Sequence, residues 1–314
     1  MSPSSTDRAA APGRRRTFGL TVSGAAGLSV GREHVSYVEI AKTAQKWGLR
    51  HLGAARINGR LFTEETSAAA AVAALVPALT TALGDRPPKF GPLHVSVPDA
   101  AVRVSLFELD AVPPSRAAQD AFVEFRMGRE SGEAKYRYVS QSLGRAAGGK
   151  QFLLGLALEE RWYLAIEGAL QEAGLRAWSL SANGLRQFNA HHARLCGRSG
   201  VLVTLEADTW SLVIWDAGGL LRYSRAQWRL DEGDTQEIAA EIERSIIGYV
   251  HSENGRTVDQ IWICAGTGSA ELTEILNARA NTPCQVLSVG EHLGMDLARD
   301  ALRCEAALAA ALQS

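Results

Sequence analysis

The residues best suited to chemistry lie in two stretches in the second half of the chain. Val201–Ala226 (VLVTLEADTWSLVIWDAGGLLRYSRA) alternates like three consecutive strands, with a tight turn at Ala207–Asp208. In Ala265–Leu272 (AGTGSAEL), Gly266 and Gly268 follow an apolar strand and precede a helix. Tight turns of both kinds can present backbone N–H groups to phosphate oxygens, and glycine lets the backbone come close. These residues therefore suggest nucleotide binding.

A phosphate turn that also holds Mg²⁺ needs a carboxylate at the end of its first strand. In the hairpin, Thr204 stands at that position and Glu206 stands where glycine is expected. Asp208 could reach in from the turn, although an Asx-type turn with its own backbone is the interpretation we favour. Gly266 and Gly268 either contact adenosine or only allow a helix to pack tightly on a strand. We therefore keep Thr204, Asp208 and the two glycines as candidate nucleotide-binding residues, and expect neither a catalytic residue nor a metal ligand.

A similar hairpin is predicted near the start of the chain. FGLTVSG (18–24) reads as a strand, HVSYVEIAK reads as the next strand, and the glycine-bearing residues 24–34 between them predict a loop. Ser23 and Gly24 could donate to phosphate, but this strand carries Thr21 and no carboxylate that could hold Mg²⁺. We predict that both hairpins keep the shape of a phosphate site and have lost the chemistry of hydrolysis. Weak nucleotide binding stays an open alternative.

Composition narrows the other function classes. The chain has 314 residues, 46% apolar and 21% charged, with a formal net charge of −1, which gives no electrostatic reason to propose nucleic acid as a partner. The four cysteines form no CxxC pair. Residues 66–84 carry no charge but are rich in Ala and Thr, with Pro77 in the middle, so they predict a buried helix and not a membrane span. Residues 1–16 are predicted to be a disordered tail, and the protein is expected in the cytoplasm.

The order of elements is duplicated. Strand, turn, strand, turn, strand is predicted for residues 18–57 and again for 201–226, each time followed by helices and further strands. Such a repeat predicts two similar α/β lobes. Between them lies a small α+β module, in which Ser115 is a plausible N-cap after Pro113–Pro114.

This order resembles that of the PilM-like family of actin-like proteins, which serves type IV pilus assembly and is related to FtsA and to the cytoplasmic part of GspL. The resemblance covers about residues 17–312, and the order of its motifs is more specific than any one of them. The stretches that carry it are HVSYVEIAK, LHVSVPDAAVRVSLFEL, ALQEAGLRAWSLSANGLRQFNA, EIAAEIERSIIGYV and IWICAGTGSAELTEIL.

The resemblance implies an actin-like ATPase fold, which is ribonuclease H-like, with two βββαβα lobes and an inserted 1C-type α+β subdomain. It implies a first lobe (1A) from residues 17–90 and 151–198, the 1C-like insert from 91–150, and a second lobe (2A/2B) from 199–314.

The function that the resemblance implies is that of a scaffold. In the family, a groove between subdomains 1A and 1C takes the cytoplasmic N-terminal peptide of the inner-membrane protein PilN. The matching strands here make Val95, Val97, Val104 and Leu106 candidate groove residues. The protein would then be recruited to the inner membrane through its partner, without a membrane span of its own, and would contact other pilus assembly components.

Two other interpretations stay open. The first is an ATP-binding switch or ATPase of the actin/sugar-kinase superfamily, with ATP and Mg²⁺ as its cofactor. The second is a polymerising actin homologue.

Overall fold

The computed structural model describes residues 24–43, 46–84, 92–129, 134–145, 149–195, 197–216, 219–227, 235–252, 257–279, 282–293 and 304–312. The predicted tail, Thr21 and Ser23 lie outside the described residues.

The strands are β1 (Gly24–Val30), β2 (His34–Thr43), β3 (Lys46–Arg56), β4 (Leu93–Val97), β5 (Val102–Leu109), β6 (Tyr136–Arg145), β7 (Gln151–Glu159), β8 (Ala177–Ala182), β9 (Gly200–Leu205), β10 (Thr209–Asp216), β11 (Gly219–Gln227), β12 (Gln260–Cys264) and β13 (Cys284–Leu287). The helices are α1 (Ala68–Leu83), α2 (Arg116–Gly128), α3 (Glu160–Glu172), α4 (Asn183–Leu195), α5 (Thr235–Ser252), α6 (Ser269–Arg279), α7 (Val289–His292) and α8 (Glu305–Ala311). A single turn of 3-10 helix covers Asp99–Ala101.

Two sheets share one topology. The first has the order β3-β2-β1-β4-β8 and the second the order β11-β10-β9-β12-β13. In each, the first three strands of the lobe are antiparallel, and the first of them also pairs in parallel with a later strand, β1 with β4 and β9 with β12. The predicted duplication into two α/β lobes is therefore confirmed. Because parallel strands end at the same edge of a sheet, each lobe gathers its turns and helix starts along one edge.

The first described strand occupies residues that the sequence predicted to be a loop, and the strand predicted for residues 18–24 lies, except for Gly24, outside the described residues. Residues 24–30, which we expected to be part of a loop, form β1 in the middle of the first sheet. The sequence GAAGLSV has few of the β-branched and aromatic residues that mark strands. The small residues serve packing instead, because a side chain at Gly27 would place its Cβ 1.9 Å from the carbonyl oxygen of Ala307 in α8.

Helices cover both faces of the first sheet. On one face, Leu28 belongs to the main hydrophobic core with Leu75 and Leu79 of α1. On the other, Ala25 packs with Ala307 of α8. We had assigned residues 199–314 to the second lobe. Although α8 follows the second sheet in the chain, it packs on the first, because its buried alanines let it approach the small residues of β1.

A third, antiparallel sheet has the order β5-β7-β6, with α2 on one face. Ser115 is the N-cap of α2, as predicted, and its Oγ accepts a hydrogen bond from the N–H of Ala118 at 3.2 Å. Two expected boundaries of this insert were wrong. β4 pairs with β1 and β8 in the first sheet, whereas β7 pairs with β5 and β6 in the third. The insert therefore comprises Val102–Glu159.

The uncharged Ala-rich stretch forms α1, which contributes to the main core through residues such as Leu75 and Leu79. Within the described ranges, no helix has the length and apolar character that crossing a membrane requires.

The tight contact between β1 and α8 yields a prediction on stability. Gly27→Ala should lower the free energy of unfolding by about 3 kcal/mol, because α8 must move to admit the methyl group. Gly248→Ala is the matched control. A Cβ at Gly248 in α5 meets nothing within 4 Å, and removing a glycine from a helix should stabilise the protein by about 0.5–1 kcal/mol. Urea unfolding of both variants checks this, and equal effects would contradict it.

Candidate functional site

The turns that follow β1 and β9 are equivalent. In the first lobe the N–H of Gly31 donates to the carbonyl of His34, and in the second the N–H of Glu206 donates to the carbonyl of Thr209, both at 2.8 Å. Residues 31–34 and 206–209 thus form matching turns at the carboxyl ends of the central strands. By this correspondence, Glu206 matches Gly31, and Ser29 is the counterpart of Thr204.

Two of the predicted nucleotide-binding residues do not face the cleft between the lobes. Gly24 is the first residue of β1 and pairs with Ala41, at the opposite end of the strand from the turn. Thr204 is buried, and its Oγ1 lies 3.4 Å from the Sγ of Cys264 on the neighbouring strand. Burial raises the pKa of the Cys264 thiol to about 12, so this is a contact between two neutral groups.

The glycine turn between β12 and α6 is held by its own residues. The Ser269 hydroxyl donates to the carbonyl of Gly266 at 2.8 Å, and Gly268 has a φ of 79°, which favours glycine. The turn lies at the carboxyl end of β12, next to β9. Tight strand-to-helix packing accounts for both glycines, and contact with adenosine stays a prediction.

Glu206 turns into the cleft and binds the first lobe. Its Oε2 accepts the backbone N–H of Asp99 at 2.9 Å, and its Oε1 accepts a hydrogen bond from the amide of Asn183 at 3.1 Å. Asp99 follows β4, and Asn183 begins α4 directly after β8. One carboxylate of the second lobe therefore satisfies donors at the ends of two strands of the first.

Asp99 makes the reciprocal contact. Its carboxylate accepts the N–H of Gly184 at 2.9 Å and the hydroxyl of Ser211 in β10 at 2.5 Å. Arg225 of β11 donates to its carbonyl oxygen at 2.7 Å. Gly184 has to be glycine, because a Cβ there would lie 2.5 Å from the Ser211 Oγ and 2.9 Å from the Asp99 Oδ2.

Asp208 closes the outer part of the cleft. Its Oδ2 lies 2.7 Å from Arg32 in the first turn and 3.2 Å from Arg60 after β3. We had favoured an Asx-type turn for Asp208, but the side chain forms ion pairs across the cleft instead. Only 16% of it is exposed, so these pairs are better shielded from solvent than an ordinary surface ion pair.

The buried carboxyls are electrostatically unfavourable in their charged forms. Burial raises the pKa of Asp99, although the hydrogen bond from Ser211 and the charge of Arg225 oppose the shift. Burial, followed by the negative charge of Asp99, raises the pKa of Glu206 well above its ordinary value. Burial and the same carboxylates also raise the pKa of the Tyr223 hydroxyl. The cleft thus favours protonated carboxyls over further negative charge.

These residues do not fit a nucleotide phosphate with Mg²⁺. Ser29 and Thr204 stand where metal-holding carboxylates are needed, and the carboxylate of Glu206 already accepts the donors that would face a phosphate. In the part of the chain that the structure describes, no group of three or more His, Cys, Asp and Glu side chains is arranged to hold a metal ion.

Sequence reasoning missed Arg32, Asp99, Asn183 and Arg225. The misplaced first strand hid Arg32, which lies in the turn that matches Ala207–Asp208. A signal was present, since SVGREH and TLEADT occupy the same place before the second strand of each lobe. The other three contacts join distant parts of the chain and leave no local pattern.

The four residues predicted to line a peptide-binding groove differ in their burial. Val95 and Val97 lie in β4 and are fully buried, which contradicts their assignment to a surface groove. Val104 and Leu106 lie on the face of the third sheet opposite α2, where they are partly buried against the main hydrophobic core. There Val104 pairs with Leu156, and Leu156 pairs with Val139, which is 42% exposed. We call Val104, Leu106, Val139, Leu143 and Leu156 the open face of the third sheet.

Two matched lobes that meet at a cleft define the actin-like ATPase fold, and comparison with solved structures confirms it. The PilM–PilN type IV pilus biogenesis complex is similar with a TM-score of 0.71 at 15% identity, covering 92% of this chain and 96% of that chain. A protein from Bacteroides thetaiotaomicron with an actin-like ATPase fold and unknown function is similar with a TM-score of 0.52 at 7% identity, covering 88% and 97% of the two chains. No family model matches the sequence, and no curated protein is significantly similar to it. The predicted resemblance to PilM is therefore confirmed at the level of the fold.

The raised pKa of Glu206 yields a prediction on pH dependence. Over the range between its ordinary pKa of 4.5 and its raised value, the folded protein holds a proton that the unfolded chain has lost. The free energy of unfolding of the wild type should therefore fall as pH rises through this range. In Glu206→Gln that contribution is absent. The free energy of unfolding of the variant should therefore rise, relative to that of the wild type, by about 1.4 kcal/mol for each pH unit across this range.

Urea unfolding at a series of pH values from about 5 to about 8 checks this. Glu108→Gln makes the same change on an exposed side chain. The difference between its free energy of unfolding and that of the wild type should stay constant over this pH range. A difference in the free energy of unfolding between Glu206→Gln and the wild type that also stays constant with pH would contradict the prediction.

Proposed function

We propose that this protein is a cytoplasmic scaffold of the actin-like class, which binds the cytoplasmic N-terminal peptide of a PilN-like inner-membrane protein in a type IV pilus or related secretion system. The observation that carries the proposal is the similarity to the PilM–PilN complex over 92% of the chain. In this proposal the protein reaches the inner membrane through its partner and also contacts other pilus assembly components. The insert is the 1C-like subdomain.

The open face of the third sheet supports a peptide site there. Val104, Leu156 and Val139 form a row across β5, β7 and β6. Partly exposed apolar side chains in a row offer pockets for alternate residues of an extended peptide. β5 and β6 are the outer strands of this sheet among the described residues, so a peptide could also bond to a strand backbone.

The proposed scaffold does not hydrolyse ATP. Its support is the cleft itself, where Ser29 and Thr204 replace carboxylates and where Glu206 and Asp208 bind groups of the first lobe. The alternative, an ATP-binding switch or ATPase of the actin/sugar-kinase superfamily, has one observation in its favour. Gly266 and Gly268 form a turn at the cleft end of the second sheet, next to β9. Titration calorimetry with ATP and Mg²⁺ separates the two proposals, because a switch must bind nucleotide.

A pair of matched substitutions tests the peptide site. Val139→Asp places a charge on the open face of the third sheet and should weaken binding of the partner peptide by about tenfold or more. Val286→Asp is the control, because Val286 is a strand valine of similar exposure, 37% against 42%, in the second sheet. Its binding should equal that of the wild type. The measurement is titration calorimetry with a synthetic peptide of the cytoplasmic N-terminal residues of the PilN-like protein from the same genome.

Two results would contradict this assignment. Equal affinity of Val139→Asp and the wild type would exclude the open face as the peptide site. Loss of binding in Trp178→Ala alone would move the peptide to the outer strand of the first sheet, where Trp178 of β8 is 76% exposed. An absence of peptide binding by the wild type would reject the proposed function itself.

A further inference from the structure

We propose that the carboxyl groups of Glu206 and Asp208 take the place of nucleotide phosphates in this cleft, so that acceptor oxygens of the protein itself join the two lobes. The inference goes beyond the loss of hydrolysis, because it assigns a substitute for the ligand. It depends on the actin-like fold and its cleft, and not on the identity of the partner peptide.

Glu206 satisfies donors of a kind that bind phosphate. It accepts a backbone N–H at the end of β4 and a side-chain amide at the start of α4, at 2.9 and 3.1 Å. Backbone N–H groups at strand and helix ends are common phosphate ligands. The turn residue of the second lobe thus reaches the first lobe with its own oxygens, where the glycine of a phosphate turn would leave room for the ligand.

Asp208 satisfies the cations of the cleft. Arg32 and Arg60 both belong to the first lobe, and both bind the same Oδ2 atom. Arginine binds carboxylate and phosphate with similar geometry. One carboxylate from the turn of the second lobe therefore holds two guanidinium groups that could otherwise bind a phosphate.

A phosphate could not be added to this arrangement. Asp99 is fully buried and Glu206 is partly buried between the lobes, so a phosphate placed beside them would lose its hydration in a site that already raises the pKa values of both carboxyl groups. The donors are also occupied. The lobes are consequently held at one relative position without a ligand, and the open face of the third sheet does not depend on nucleotide.

Single substitutions and an added anion test the inference. Glu206→Gly restores the turn glycine, and Asp208→Ser frees Arg32 and Arg60. Glu33→Ser is the control, because Glu33 holds the matching position in the first turn and loses the same charge without freeing either arginine from Asp208. The probe is magnesium-free inorganic pyrophosphate, followed by titration calorimetry and by the shift of Tm.

The expected result is binding of pyrophosphate by Glu206→Gly and Asp208→Ser, with a rise in Tm of about 2–4 °C at concentrations well above Kd. The wild type and Glu33→Ser should show neither heat nor a shift. If Glu206→Gly does not fold, Asp208→Ser alone decides, with the same expected result.

Two outcomes would overturn the inference. Binding of pyrophosphate by the wild type as tight as by the variants would show that the carboxylates do not fill the site. An absence of binding in the folded variants would show that the donors do not form an anion site. Binding of the partner peptide is measured on the same samples, so failure of this inference can be told apart from failure of the proposed function.

Discussion

The structure depends on how one buried residue is satisfied. Asp99 is fully buried where the two sheets meet, and an uncompensated carboxyl there would cost several kcal/mol. Its N–H, carbonyl and carboxylate bind Glu206, Arg225 and Ser211 of the second lobe, and the carboxylate also caps the start of α4. Since every polar group of Asp99 needs a partner, the lobes cannot separate without exposing several of these groups at once.

The same constraint explains why the cleft differs from a ligand site. In a nucleotide-binding protein of this fold, the ends of the central strands face a ligand that can leave. Here they face side chains of the other lobe, at hydrogen-bond and ion-pair distances between 2.5 and 3.2 Å. The duplicated topology is retained because the sheets still need their helices and core, whereas the catalytic carboxylates are not required for packing.

Much of the fold could be predicted from the sequence, because alternation, caps and the repeated element order are local signals. The N-cap at Ser115 and the strands of the second hairpin are examples. The first strand was misplaced because GAAGLSV has low β-propensity, and only its packing against α8 explains it. The tight turn that carries Glu206 could be predicted, whereas the burial of Thr204 against Cys264, away from the cleft, could not. The ion pairs of Asp208 could not be predicted either, because Arg32 and Arg60 lie far from it in the chain.

The place of α8 has a consequence for how the chain is made. β1 is translated before the second sheet, yet one face of its own sheet is covered by α8, which follows the second sheet in the chain. The ribosome therefore releases the first lobe with an apolar surface around Ala25 and Ile40 still open. Completion of this lobe must wait until the second sheet and α8 have been translated, so a nascent-chain chaperone has a defined surface to protect during that interval.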